Sequence, residues 1–157
     1  MQKIKTILTA FGFSAALLVA APVFADGHLE KAIEARQAVM KLYSFNLGQL
    51  GAMAKGSVAY DATAASAAAN NLAALAALDQ GMMWPKGSDA TAMPDKTRAM
   101  AEIWATYPEI NGKSKALADA SMAMAKVAGD GLPALQGALG DVGKSCGGCH
   151  KPFRAPK

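Results

Sequence analysis

The residues best suited to chemistry lie together near the end of the chain: Cys146-Gly147-Gly148-Cys149-His150, followed by Lys151-Pro152-Phe153-Arg154. The two cysteines are the only ones in 157 residues, and His150 is one of two histidines. On a helix, positions i and i+3 project from one face, so two thiols at this spacing reach two vinyl groups along one porphyrin edge. The next residue is turned about 100° further, which lets its imidazole approach an iron from one side. C-x-x-C-H is the attachment pattern of a c-type haem. It makes Cys146 and Cys149 the expected thioether anchors and His150 the expected iron ligand. Gly147 and Gly148 leave the macrocycle edge unobstructed.

Other readings use the same residues. A thioredoxin-like dithiol needs a βαβ context, and this motif sits late in a helical stretch. A zinc site lacks ligands, because the remaining histidine, His28, lies far away near the start of the first helix. A disulfide between Cys146 and Cys149 would distort the helical turn that carries them.

The elements that must position the motif read as helices. Ala, Leu, Met, Lys and Gln are frequent, and no run alternates with period two. The first helix is expected over about residues 28–55, its apolar seam running Leu29, Ile33, Met40, Tyr43, Leu47, Leu50 and Ala54. Arg36 falls on that seam, and a cation on a buried face needs a partner. Asp61 is the expected N-cap of a second helix reaching about Gln80. Residues 81–94, with Pro85, Gly87 and Pro94, read as the one long connection. A short helical piece is expected at about 96–105, with Pro108 and Gly112 as interruptions. A third helix follows over about 114–128, and Asp130 is the expected cap of a fourth. The fourth carries Leu132, Leu135, Leu139, Val142, Cys146, Cys149 and Phe153 at steps of three and four. The fold class expected is all-α, an antiparallel four-helix bundle with haem c on the C-terminal helix. Gly137, Gly140, Gly143, Gly147 and Gly148 weaken that last helix by roughly 1 kcal/mol each against Ala. Either something flat and large packs on it, or a neighbouring backbone comes close.

Composition removes other classes. The chain is 52% hydrophobic and 18% charged, too apolar for disorder. Its formal charge of +4 comes with no basic cluster or aromatic interleaving, so no nucleic-acid partner is expected. Residues 1–25 have the layout of a secretory signal peptide. Lys3 and Lys5 precede an apolar stretch, and Val23-Phe24-Ala25 offers small residues at the −3 and −1 positions of a cut before Asp26. Its removal lowers the charge excess from four to two and leaves one domain over 26–157. No later stretch approaches membrane-spanning length, so no stable insertion is expected.

These features together resemble the class II c-type cytochromes: cytochrome c′ and the low-spin cytochromes c-556 and c-554. The resemblance rests on C-x-x-C-H near the C-terminus, Arg36-Gln37-x-x-Met40, Met53-x-Lys55-Gly56, Trp84-Pro85-x-Gly87, Glu102-Ile103-Trp104 and Gly140-Asp141-Val142-Gly143. It implies a periplasmic haem c protein without catalytic residues of its own. It also implies cofactor-binding roles for Arg36, near the haem propionates, for Gln37, and for Arg154 beside the proximal histidine. The family divides at the sixth iron position. With Met40 opposite His150 the iron is low-spin and the protein carries single electrons. With that position open it is high-spin and binds nitric oxide or carbon monoxide. The main expectation is the His150/Met40 electron carrier; the alternatives are the gas binder and, more remotely, a haem-free thiol oxidoreductase. Redox partners are not named by any motif. The resemblance allows a homodimer through the first two helices, where the small residues of 62–77 permit close pairing. Tyr43 and Phe45 are expected to pack, and Trp84 and Trp104 to anchor the core or the haem side.

Overall fold

A computed structural model describes residues 23–156, with side chains from residue 27 onward. The signal segment assigned to residues 1–25 therefore lies outside the described residues, except for the three that open the first helix. Helix α1 spans Val23–Ala54, α2 Ala62–Ala76, α3 Glu102–Ala105, α4 Tyr107–Val127 and α5 Leu132–Phe153. The four long helices form the antiparallel bundle. α4 lies between α2 and α5, and α1 packs on α2 and, over a smaller area, on α5. Among the described residues there is no strand, only an isolated antiparallel bridge between Ala99 and Arg154.

The helix boundaries follow local chemistry. Asp61 adopts an extended conformation, and its carboxylate accepts the Ala64 N–H at 2.7 Å, which caps α2 as the sequence suggests. α4 differs from expectation. Pro108 lies in its first turn, where a missing N–H costs nothing and the fixed φ favours helix, so the proline opens α4 rather than breaking it. Gly112 is simply carried within it. Asp130 does not cap α5. The chain enters that helix through Gly131 at φ +121, with Pro133 again in the first turn. This turn is pinned from across the bundle by Tyr60, whose hydroxyl donates to the Ala128 carbonyl at 2.8 Å and accepts the Gly131 N–H at 3.0 Å. At Gly129 α2 comes close: a Cβ there would collide with the Ser66 hydroxyl.

The main core joins Val39, Tyr43, Leu50, Met53, Leu72, Met124, Leu135 and Val142, with Ala65, Ala68 and Ala69 letting α2 approach. The buried seam of α1 is rotated from the expected one. Ile33, Tyr43 and Leu50 are buried as read, but Val39, Asn46 and Met53 replace Met40, Leu47 and Ala54 as its fully buried members. Asn46 is tolerated there because its amide donates to the Leu42 carbonyl and its oxygen accepts from Asn71. A second, smaller cluster gathers Ala99, Ile103 and Phe153, with Trp84, Trp104, Ile110 and Cys149 against it. Tyr43 packs as expected; Phe45 does not, and stands 64% exposed.

Candidate functional site

The last two turns of α5 pack differently from the first four. Leu135 and Val142 are fully buried, and Phe153 is buried at the helix end. Between them, Ser145, Cys146, Gly147, Gly148, Cys149 and His150 are all half-buried, and none is closed off. Cys146 leans on the main core and Cys149 on the tryptophan cluster. Both thiols are free. Burial pushes both above the ordinary thiol range; at Cys149 the Lys113 and Arg154 charges oppose the rise without cancelling it. A dithiol enzyme needs the reverse, a thiol held low and accessible. Among the described residues no group of three or more His, Cys, Asp or Glu side chains is placed to hold a metal ion, so the zinc reading has no ligand set there. The glycines of α5 also resolve one alternative. A Cβ at Gly137, Gly140, Gly143, Gly147 or Gly148 would meet nothing within 4 Å, so no neighbouring backbone requires them.

Gln136 at the start of α5 donates to the Ala54 carbonyl at the end of α1, at 2.7 Å. Further along, Cys146 joins the cluster that holds Tyr43, whose hydroxyl is raised by burial first, with a smaller upward push from Cys146. The two helices run antiparallel, so each step back along α1 matches a step forward along α5. One turn beyond Tyr43 this register brings Met40 to the level of Cys149 and His150. On that stripe Leu29 and Leu47 are half-buried and Ile33 is buried, yet Met40 is 37% exposed. Met40 is the exposed member of an otherwise covered row, at the level where α5 is only half-buried. Two free thiols on one face and an imidazole beside them, all half-buried, fit a covalently held haem.

The buried cation of α1 has partners within the protein. Arg36 is 2% exposed. Nη1 donates to Ser88 Oγ at 2.6 Å and to the Met83 carbonyl at 3.3 Å. Nη2 donates to the Ser88 carbonyl and to Thr97 Oγ1, the latter at 3.0 Å. The guanidinium also lies 4.6 Å from the centre of the Trp84 ring. Burial lowers its pKa to about 10, with Asp89 opposing, so it stays cationic at neutral pH. All four protons of the terminal nitrogens are thus engaged by the connection between α2 and α3, leaving Nε–H for anything else. Gln37 joins in, donating to the Lys96 carbonyl at 2.7 Å. No sequence signal pointed to Ser88 or Thr97; the orphan cation on the seam was the clue that partners existed.

Trp104 Nε1 donates to the Trp84 carbonyl at 2.9 Å, with the two rings 6.3 Å apart, and both lie in the cluster that contacts Cys149. Arg154 ends α5, its N–H bonded to the His150 carbonyl at 3.2 Å. Gly147, His150, Lys151 and Arg154 form one stripe of α5. With Arg98, Ala155 and Pro156 they line an open groove of about 790 Å³. The His150 imidazole is shifted toward its neutral form, by burial first and then by the charges of Arg154 and Arg98.

The family model described as Cytochrome C′ matches residues 31–154. A cytochrome c-554 of Cereibacter sphaeroides is 39% identical over 139 residues, covering 87% of this chain and 90% of the relative. A cytochrome c′ of the same species is 37% identical over 142 residues, covering 90% of this chain and 93% of the relative. A solved cytochrome c′ from Rhodobacter sphaeroides superposes with a TM-score of 0.79 at 36% identity, over 82% of this chain and 98% of the other.

Proposed function

Because the chain belongs to the cytochrome c′ family, we propose that Cys146 and Cys149 hold one haem c through two thioethers, with His150 as the proximal iron ligand. When bound, haem c supplies an iron that changes oxidation state by one electron and can accept a diatomic ligand. The chain's own residues attach and orient the cofactor, wall it from water on the α1 side and set the charge around its proximal face. Arg36 and Gln37 act by fixing the connection that closes the site, and Arg154 by placing a cation beside His150. Residues 1–25 direct export, and the mature protein, from Asp26, works in the periplasm.

The reading best supported is the five-coordinate form, with an open sixth position that takes nitric oxide or carbon monoxide. The match to the cytochrome c′ family model, with cytochromes c′ among the similar relatives and solved structures, carries it. The second reading, a low-spin electron carrier with Met40 as sixth ligand, draws on the register that brings Met40 level with His150 and on the likeness to cytochrome c-554. One spectrum separates the two. Reduced holoprotein with a broad high-spin band that shifts sharply with carbon monoxide supports the open site. A sharp α band indifferent to carbon monoxide supports Met40 ligation. The exposed Leu42 and Phe45 on α1 offer an apolar face for a homodimer, whereas Ala65, Ala68 and Ala69 of α2 are spent inside the bundle.

A further inference from the structure

The groove beside His150 has an unusual charge. Its lining includes Arg98, Lys151 and Arg154 and no carboxylate. The ion pairs among the described residues involve Lys96, Lys113, Lys115 and Lys144; none of the three groove cations takes part. Chance does not bring Arg98 to Arg154. The backbone fastens them together, with Ala155 N–H donating to the Arg98 carbonyl at 2.9 Å and Met100 N–H to the Phe153 carbonyl at 3.0 Å. Like charges set side by side repel, and a neutral pair would build the same bridge at lower cost. The arrangement concentrates positive potential over the stripe that carries His150. An open, positively lined surface over a redox centre attracts and orients an acidic partner.

We propose that the Arg98, Lys151 and Arg154 groove is the docking surface for an acidic patch of a redox partner protein, so that electrons pass over the proximal side of the site. This inference rests on the haem reading. The chemistry is simple outer-sphere exchange: one protein loses one electron, the other gains it, and no bond changes.

The test uses holoprotein and two oxidants or reductants of opposite charge, run in whichever direction is downhill: a blue-copper protein with an acidic surface patch, and hexaammineruthenium. The variant R98Q/K151Q is compared with K115Q/K126Q, which removes the same net charge from α4. At low ionic strength R98Q/K151Q should slow exchange with the acidic protein on the order of threefold or more and flatten its salt dependence. Exchange with hexaammineruthenium should stay level or quicken, which separates lost steering from a changed potential. Equal slowing in both double variants would overturn the proposal, leaving only net charge at work. So would a wild-type rate abolished by millimolar inorganic phosphate at constant ionic strength, which would make the groove a small-anion pocket. A protein that matures without colour would instead defeat the haem reading itself.

Discussion

Arg36 and Ser88 lie 52 positions apart in the chain, and both terminal nitrogens of the arginine end on that one serine, one on its hydroxyl and one on its carbonyl. A single buried cation thereby gathers residues 83–97 against α1. The carbonyls it serves would be left without donors if it were removed, and unmet buried acceptors are expensive. Arg36→Met should therefore cost about 2–4 kcal/mol of stability, measured by urea unfolding, with Arg36→Lys intermediate because it cannot span all four acceptors. A loss under about 0.5 kcal/mol would mean the connection holds itself.

Asp89 links the same connection to pH. Its carboxyl is held below the usual range by the Ala92 N–H first and by the Thr91 N–H, against the opposing effect of burial. A depressed folded-state value means that the stabilisation is fully present above the ordinary Asp pKa of about 3.9 and is lost as pH falls through the folded value. Stability should drop on acidification below about pH 4, and Asp89→Asn should flatten that part of the curve. Identical acid profiles for the two proteins would rule Asp89 out as a contributor.

Tyr60 reaches across the bundle to close the α4–α5 turn from both sides of its hydroxyl. Tyr60→Phe keeps the ring and removes both hydrogen bonds, so the expected loss is about 1–2 kcal/mol. Hydrogen exchange at the Gly131 amide should quicken in the variant. An unchanged rate would show that Gly131 and Pro133 set the turn without help.

Gly137 and Gly140 are exposed helical positions where a Cβ meets nothing. Replacing either with Ala should raise stability by about 0.5–1 kcal/mol, read as a higher denaturation midpoint. A fall would point to a contact, such as a second copy of the chain, that needs the bare backbone.

Met40→Leu tests the sixth position from the protein side. Under the open-site reading, the spectrum of the reduced holoprotein barely changes and carbon monoxide still binds. Conversion of a sharp low-spin spectrum to a broad one would instead make Met40 the ligand.

Short-range chemistry made much of this legible in advance. The Asp61 cap, the helical texture and the C-x-x-C-H spacing each depend on residues within a turn or two, so sequence order displays them directly. The errors arose where two distant segments compete for one position. Periodicity alone placed Met40 and Ala54 on the buried seam. The actual seam follows Val39 and Met53, because it must meet Leu72 and Leu135 on other helices. Pro108 read as a breaker because the residues before it, not the proline itself, decide whether a helix begins there. Arg36 was visible as a charge in need of company, yet nothing in the order of residues names Ser88, since that pairing exists only once α1 and the connection lie together.

The bridge between Ala99 and Arg154 also has a consequence in time. It joins the residues that follow α5 to a segment laid down before α4, so it can form only after both α4 and α5 have been made. Until then the connection that flanks Cys149 has no fastening at that end. Arg154 and Ala155 act as a latch, shutting the wall beside Cys149 only after α4 and α5 have been made.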